Sequence, residues 1–183
     1  MKDRTILRPL LGTGICLLLL GGCVTESARH SPNAADIAAN TLIVDTHIDV
    51  PYRLYRKPAD VSRATPAGDF DYPRALAGGL NAPFMSIYTP AAMEEAGTAF
   101  NFAEQAIATV EHLAKLNPDK FAVATCTADV ELQFTNGLIS LPMGMENGAP
   151  LEGKIDNLEH FFNRGIRYIT LAHSKSNHIS DSS

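Results

Sequence analysis

The stretch LIVDTHIDVP, residues 42–51, determines how the rest of the chain is interpreted. It begins with an apolar, β-rich run, which predicts a strand, and then presents Asp45, His47 and Asp49 at every second position. Because side chains alternate between the two faces of a strand, these three side chains are expected on one face. An imidazole and a carboxylate two residues apart can bind one divalent cation, so the stretch predicts a metal site at His47 and Asp49.

Further strands and helices alternate along the chain after this stretch. Strands are predicted over 80–89, 121–124, 138–145 and 166–173, with helices over 94–116 and 154–164 and a helix capped by Thr127. This alternation predicts an α/β fold with a mostly parallel sheet whose strands follow one another in sequence order. Glu146 follows the fourth strand and His173 ends the fifth, and parallel α/β barrels place their active sites at that end of the sheet.

Two local patterns give expectations about the parts between the strands. Residues 52–72 are rich in Pro, Arg, Asp and Gly, which predicts a long loop with one helical turn at most. In the helix over 154–164, Ile155, Leu158 and Phe162 recur at helical spacing and are therefore expected to face the core.

Composition is that of a soluble globular protein with one domain. The chain has 183 residues, of which 45% are apolar and 19% charged. Its net charge of −5 makes nucleic acid an unlikely partner class, so none is expected. Of the three cysteines only Cys126 lies in the body of the chain, which excludes a disulfide framework.

The N-terminal segment has the pattern of an export signal. Residues 1–23 combine a basic start with an apolar run and end in Leu-Gly-Gly-Cys, which resembles the lipobox of bacterial lipoproteins. This resemblance implies that Cys23 is lipidated and that the protein is anchored in the bacterial cell envelope. The alternative is an ordinary signal peptide with an incidental cysteine. Residues 24–40 are polar and rich in small residues, which predicts a flexible tether to a domain over 41–183.

Four segments together resemble the membrane dipeptidase (renal dipeptidase) family of zinc metallopeptidases. They are DTHIDVPYR at 45–53, DYPRALAGGLNAPFMSIYTP at 71–90, GMENGAP at 144–150 and GIRYITLAHSKSNHISDSS at 165–183. Their order along the chain is far more specific than any single motif. The resemblance implies a metal-dependent hydrolase-type (β/α)8 barrel that hydrolyses dipeptides through a metal-activated hydroxide attacking the peptide carbonyl.

The resemblance also implies a role for each candidate residue. His47 and Asp49 match the ligands of one zinc, Glu146 matches a carboxylate that bridges two zinc ions, and His173 matches a histidine facing the substrate. A bridging carboxylate holds two cations close enough to activate one water molecule. A neutral histidine can donate a hydrogen bond to the oxyanion that forms on the scissile carbonyl.

The sequence departs from the family after His173. The second zinc requires two histidines from later strands, whereas only His178 follows His173, in the same loop. The family's arginine for the substrate carboxylate and its acid/base aspartate are also expected from later strands. A full barrel needs about 250 residues, so residues 41–183 are expected to be its N-terminal portion, truncated after about five strands. Such a chain is expected to bind at most one zinc ion and to be inactive alone.

The sequence leaves two other functions open. A related amidohydrolase would act on another amide, and a truncated envelope lipoprotein would have no catalytic activity. For a membrane dipeptidase, the expected partners are a dipeptide substrate and the membrane. Whether the chain forms a homodimer is left open. DNA downstream of the codon for Ser183 that encodes two strand-end histidines would favour the dipeptidase over the lipoprotein.

Overall fold

A computed structural model describes residues 33–182. The strands in this part of the chain are β1 (Ile43–Ile48), β2 (Leu80–Tyr88), β3 (Phe121–Val123), β4 (Ile139–Leu141), β5 (Met143–Glu146) and β6 (Ile166–Thr170). The helices are α1 (Ala34–Asn40), α2 (Val50–Arg56), α3 (Tyr72–Gly78), α4 (Ala91–Glu95), α5 (Ala99–Leu116), α6 (Thr127–Thr135) and α7 (Ile155–Asn163), with a 3₁₀ turn at Ala149–Leu151. The predicted α/β class with a parallel sheet is therefore confirmed.

The strands form two parallel sheets. One contains four strands in the order β1-β2-β5-β6, and the other pairs β3 with β4. The expected sequence order was therefore wrong for the third strand, which does not lie between β2 and the fourth predicted strand. β3 instead pairs with β4 over three residues, and β5 is the strand that pairs with β2.

A proline divides the fourth predicted strand into β4 and β5. Pro142 has no N–H to donate to a sheet ladder, which explains the interruption. Its carbonyl oxygen accepts a hydrogen bond of 2.7 Å from the backbone N–H of Met85. β4, before the break, therefore belongs to the small sheet, and β5, after it, belongs to the large one. Glu146 ends β5 beside Tyr88 at the end of β2.

Three helical segments differ from the sequence predictions. Part of the expected tether forms α1, which Asn33 and Asp36 begin with reciprocal side-chain to backbone hydrogen bonds of 3.0 and 3.2 Å. The expected loop after residue 51 starts with α2, because Pro51 suits the first turn of a helix. The single helix expected over 94–116 is divided into α4 and α5 near Gly97, whose φ of +65° lies in the left-handed region.

The core lies between the large sheet and the helices that cover one of its faces. Its fully buried side chains include Phe121, Phe161, Met85, Ile87, Ile107, Leu141, Met143 and Met145. Strand β1 lies at the edge of the sheet, and the side chain of Val44 is 44% exposed. The four strands thus form an open sheet and not a closed barrel in the described residues.

The proposed lipid attachment residue, Cys23, and the apolar run before it lie outside the described residues. Among residues 33–182, none of the helices combines the length and apolar character needed to cross a bilayer.

Asp71 fixes the loop before α3 to that helix. Its buried carboxylate accepts hydrogen bonds from the backbone N–H groups of Thr65 at 2.8 Å and Arg74 at 3.0 Å. The Arg74 guanidinium donates to the same carboxylate at 2.7 Å. The hydrogen bond from this guanidinium, supported by those from Thr65, holds the pKa of Asp71 well below its usual range.

This lowered pKa predicts a pH-dependent contribution to stability. A carboxyl group whose pKa is lower in the folded state stabilises the fold above its unfolded-state pKa, about 3.9, and loses that contribution as the pH falls. We expect Asp71→Asn to lower the melting temperature by several degrees at pH 7, and the gap to the wild type to narrow below about pH 4. Asp69→Asn, at an exposed neighbour, should leave the melting temperature unchanged. A gap that stays constant down to pH 3 would contradict the assignment.

Candidate metal centre

His47 and Asp49 lie at the C-terminal end of β1, where the strand is irregular. The register between β1 and β2 shifts between Asp45 and Ile48, so one extra residue is accommodated in β1. Asp45 does not join the other two residues, because its carboxylate accepts a hydrogen bond of 3.0 Å from the backbone N–H of His47. Asp49 immediately precedes α2. The irregularity of β1 and the start of α2 explain why Asp45 does not lie with His47 and Asp49, as strict alternation of faces had predicted.

The side chain of Glu146 lies close to that of His47, although β2 lies between their strands. It ends β5, and its Oε2 lies 3.1 Å from His47 Nε2. The same Nε2 lies 3.5 Å from Asp49 Oδ1. Ser86 on β2 donates a hydrogen bond of 3.1 Å to Glu146 Oε2, which orients the carboxylate. One ligand atom from each of His47, Asp49 and Glu146 lies within 4.8 Å of the other two.

The spacing of these atoms fits a divalent cation. Ligand atoms about 2.1 Å from a tetrahedrally coordinated ion lie roughly 3.4 Å from one another. The distances from His47 Nε2, 3.1 Å to Glu146 and 3.5 Å to Asp49, bracket that value. One imidazole and two carboxylates are a donor set that zinc accepts, with water completing the coordination shell.

His173 lies on the other side of the Glu146 carboxylate. It follows β6, and its Nε2 is 3.2 Å from Glu146 Oε1, the oxygen that does not face His47. The His173 ring packs edge-on against the ring of Tyr88, with their centroids 5.0 Å apart. Burial raises the pKa of Tyr88, so this neighbour is a neutral phenol. The two histidines thus face opposite oxygens of one carboxylate at the C-terminal edge of the sheet.

Tyr168 is a site residue that the sequence analysis missed. Its hydroxyl group lies 2.9 Å from His47 Nδ1 and donates a hydrogen bond of 3.0 Å to the carbonyl oxygen of Thr46. Burial, followed by the nearby charges of Glu146 and Asp49, raises the pKa of the phenol, which is therefore protonated. Tyr168 lies on β6 in the RYIT run, and an aromatic residue in a strand is ordinarily a packing residue.

Asn147 is a second residue at this edge of the sheet that the sequence analysis did not select. It adopts a φ of +74°, a conformation that Asn tolerates better than most residues. Its buried amide donates to the carbonyl of Thr89 at 2.8 Å, and its side-chain oxygen accepts from Asn177 at 2.8 Å. These bonds connect the ends of β2 and β5 to the loop that follows His173.

Two other histidines of the described chain contact glutamates of helices and are not part of this group. His178 Nδ1 is 2.8 Å from Glu94 Oε1, and His160 Nε2 is 2.9 Å from Glu104 Oε1. Among residues 33–182, His47, Asp49 and Glu146 form the only set of three His, Cys, Asp or Glu side chains whose ligand atoms meet.

An apolar cavity of about 420 Å³ lies on the large sheet but apart from the metal-ligand cluster. Leu42, Val44, Ala82 and Phe84 from the N-terminal halves of β1 and β2 line it, together with Cys126 and Val130 near α6. None of the four candidate site residues contributes to its wall. The cavity and the candidate metal centre are therefore separate features of the described chain.

Comparison with known proteins identifies relatives of one kind. The model of the family described as "Membrane dipeptidase (Peptidase family M19)" matches residues 32–183. Dipeptidase ataJ from Aspergillus terreus is 27% identical over 176 residues, which are 87% of this chain and 42% of the relative. Dipeptidase aclJ from Aspergillus oryzae is 31% identical over 122 residues, which are 63% of this chain and 29% of the relative.

Solved structures share the fold. The probable dipeptidase PvdM from Pseudomonas aeruginosa superposes with a TM-score of 0.73 at 21% identity, over 80% of this chain and 38% of that protein. A metallo peptidase from Rhodobacter sphaeroides, liganded with a phosphinate mimic of the dipeptide L-Ala-D-Ala, has a TM-score of 0.65 at 24% identity, over 73% of this chain and 46% of that protein. The chain thus spans less than half the length of these relatives. The family resemblance seen in the sequence is confirmed, and the chain belongs to the membrane dipeptidase family over residues 32–183.

Proposed function

We propose that this chain supplies the first metal-binding part of the active site of a zinc-dependent dipeptidase. The observation that carries the proposal is the meeting of His47, Asp49 and Glu146 at the C-terminal edge of a parallel sheet, in a chain of the membrane dipeptidase family. His173 adds a hydrogen-bond donor at the same edge. Such edges are where parallel α/β enzymes assemble their reacting groups.

Each residue has a defined task in this proposal. His47, Asp49 and Glu146 would hold a zinc ion, and Ser86 keeps the Glu146 carboxylate in place. A bound zinc ion would supply Lewis-acid chemistry there, lowering the pKa of water and polarising the scissile carbonyl. The other oxygen of Glu146, beside His173, would leave this carboxylate able to serve a second cation. His173 donates a hydrogen bond to the oxyanion that develops on the substrate.

A dipeptide is the substrate class that the relatives support. Curated relatives are dipeptidases, and the Rhodobacter sphaeroides metallo peptidase was solved with a dipeptide mimic. An amidohydrolase from Pseudomonas aeruginosa also shares the fold, with a TM-score of 0.57 at 18% identity. Hydrolysis of another amide is therefore the second candidate, and the specificity of the reaction separates the two.

We also propose that the protein is exported and anchored by lipid at Cys23. The proposal rests on the apolar run that ends in Leu-Gly-Gly-Cys within residues 1–23. Mass spectrometry of the membrane fraction is expected to find diacylglyceryl-modified Cys23 as the mature N-terminus. Cleavage elsewhere, or an unmodified thiol at Cys23, would contradict it.

The decisive test is zinc binding and dipeptide hydrolysis by the 183-residue chain. Because the described residues provide one three-ligand group, we expect at most one zinc per chain, bound weakly, and no measurable hydrolysis. The second zinc and the acid that protonates the leaving amine belong to the same catalytic unit, and loss of such parts leaves only a residual rate. A longer gene product that supplies later strands should gain dipeptidase activity.

The His47→Ala variant serves as the control for zinc binding and for dipeptide hydrolysis. His47→Ala should abolish zinc binding by the 183-residue chain and dipeptide hydrolysis by any longer product. Zinc-dependent turnover by the 183-residue chain that disappears in His47→Ala would overturn the prediction of inactivity. A longer product that binds zinc and cleaves other amides but not dipeptides would favour the amidohydrolase. A longer product without any hydrolytic activity would favour the non-catalytic lipoprotein.

A further inference from the structure

We infer that Tyr168 is a positioning residue that presents His47 to the cation in one ring orientation. The inference rests on the proposed function, because it concerns how a proposed zinc ligand is held. Its basis is a pair of contacts made by one hydroxyl group, at 2.9 Å to His47 Nδ1 and at 3.0 Å to the Thr46 carbonyl oxygen.

The two contacts have one consistent proton arrangement when Nε2 binds a cation. A phenol has one proton to donate, and a carbonyl oxygen has none. The Tyr168 hydroxyl then donates to Thr46, and its oxygen lone pair accepts from His47 Nδ1, which carries the ring proton. Nε2 keeps its lone pair for a cation beside Asp49 and Glu146. Without a cation, the 3.1 Å contact between Nε2 and Glu146 Oε2 also accommodates a proton on Nε2, so the contacts of Tyr168 fix the ring orientation of His47 and not its tautomer.

The position of Tyr168 is itself fixed by packing. Its ring lies 5.4 Å from the ring of Phe84, centroid to centroid. On the other side it lies directly on the backbone of Gly144, where a Cβ would overlap the ring. Glycine at 144, two residues before Glu146, therefore allows β6 to place a phenol beside the histidine of β1, although β2 and β5 separate these strands in the sheet.

The experiment compares Tyr168→Phe with the wild type and with Tyr55→Phe. Tyr168→Phe removes the hydroxyl and keeps the ring that packs on Gly144 and Phe84, so the fold is retained. Tyr55→Phe removes the hydroxyl of an exposed tyrosine on α2 and serves as the control. Two measurements are made on each protein: the orientation of the His47 ring without metal, from NMR contacts between that ring and the ring of residue 168, and zinc affinity by competition with a chelator.

We expect the His47 ring to keep one orientation, with Nδ1 toward residue 168, in the wild type and in Tyr55→Phe, and to take more than one orientation in Tyr168→Phe. Zinc affinity should fall about tenfold in Tyr168→Phe and stay unchanged in Tyr55→Phe, the size of effect typical of residues that hold a metal ligand. Several ring orientations of His47 in the wild type would overturn the inference. So would a Tyr168→Phe protein with the wild-type ring orientation and affinity.

The two measurements also separate this inference from the proposed function. A wild type that binds no zinc would refute the metal site, while the NMR ring contacts would still decide whether Tyr168 holds the His47 ring. A wild type that binds zinc as expected, with no effect of Tyr168→Phe on ring orientation or affinity, would refute the role of Tyr168 alone.

Discussion

Replacing Glu146 with glutamine is expected to weaken zinc binding by about 100-fold or more. Loss of a residue that merely holds a metal ligand typically lowers affinity 10- to 100-fold, and Glu146 is a proposed ligand itself. Its carboxylate lies between His47 and His173, at 3.1 and 3.2 Å from their Nε2 atoms. The amide keeps the shape of the side chain, and its oxygen can still accept from Ser86, so the change removes charge and not packing.

The loss should also appear as a loss of stabilisation by zinc. A ligand that binds only the folded state stabilises it by about 2.7 kcal/mol at 100 times its Kd. We expect zinc to raise the melting temperature of the wild type and to leave that of Glu146→Gln unchanged. Isothermal titration calorimetry measures the affinity directly. Glu159→Gln, at an exposed position on α7, removes the same charge elsewhere and should bind zinc like the wild type.

Two results would contradict this assignment. Zinc affinity in Glu146→Gln equal to the wild type would mean that the cation is held without this carboxylate. Equal weakening in Glu146→Gln and Glu159→Gln would mean that net charge, and not a specific ligand, attracts the ion.

The sequence predicted the elements that carry the site well. The strand expected over 80–89 is Leu80–Tyr88, and β5 and β6 lie within the regions expected for the strands before Glu146 and His173, although β6 ends at Thr170 and His173 follows it instead of ending it. The alternation of strands and helices predicts parallel strands whose C-terminal ends lie at one edge of the sheet, because a crossover helix returns each strand in the same direction. This is why residues as far apart as His47 and Glu146 could be proposed to meet.

Long-range pairing was the part that local patterns could not supply. The apolar run of residues 121–124 predicts β3 itself, but no local pattern indicates that β3 pairs with β4 while β5 pairs with β2. Tyr168 was missed for a related reason. Its role depends on a hydroxyl group that reaches across two intervening strands to His47, whereas periodicity reports only the residues of its own strand.

The inward face of α7 was predicted wrongly. Ile155, Leu158 and Phe162 recur at helical spacing, but Ile155 is 77% exposed and Phe162 57% exposed in the structure. Phe161 is the side chain that is fully buried. Since a helix with apolar residues on adjacent stripes has two candidate faces, the period alone cannot choose between them. The neighbouring helix decides, through the Phe100 ring 5.0 Å from Phe161.

Phe161→Ala is therefore expected to lower the free energy of unfolding by about 3–5 kcal/mol. The side chain has no solvent exposure and packs with Phe100 on α5, so its removal leaves a cavity between α5 and α7. That loss is a large part of the roughly 5–15 kcal/mol that stabilises a typical domain. Chemical unfolding in urea, followed by circular dichroism, measures it as a lower midpoint at an unchanged slope.

Phe162→Ala is the matched control because it removes the same side chain from the next position on α7. The Phe162 ring is exposed and contacts the Arg167 guanidinium, 4.4 Å from the ring centroid, so its loss should cost about 1 kcal/mol at most. A cost for Phe162→Ala equal to or above that of Phe161→Ala would mean that α7 turns its other stripe to the core in solution. Such a rotation of α7 would also change the path of the chain from α7 into β6, and with it the placement of His173 beside Glu146. The pair of variants therefore tests the packing of α7 and, through it, one side of the candidate metal centre.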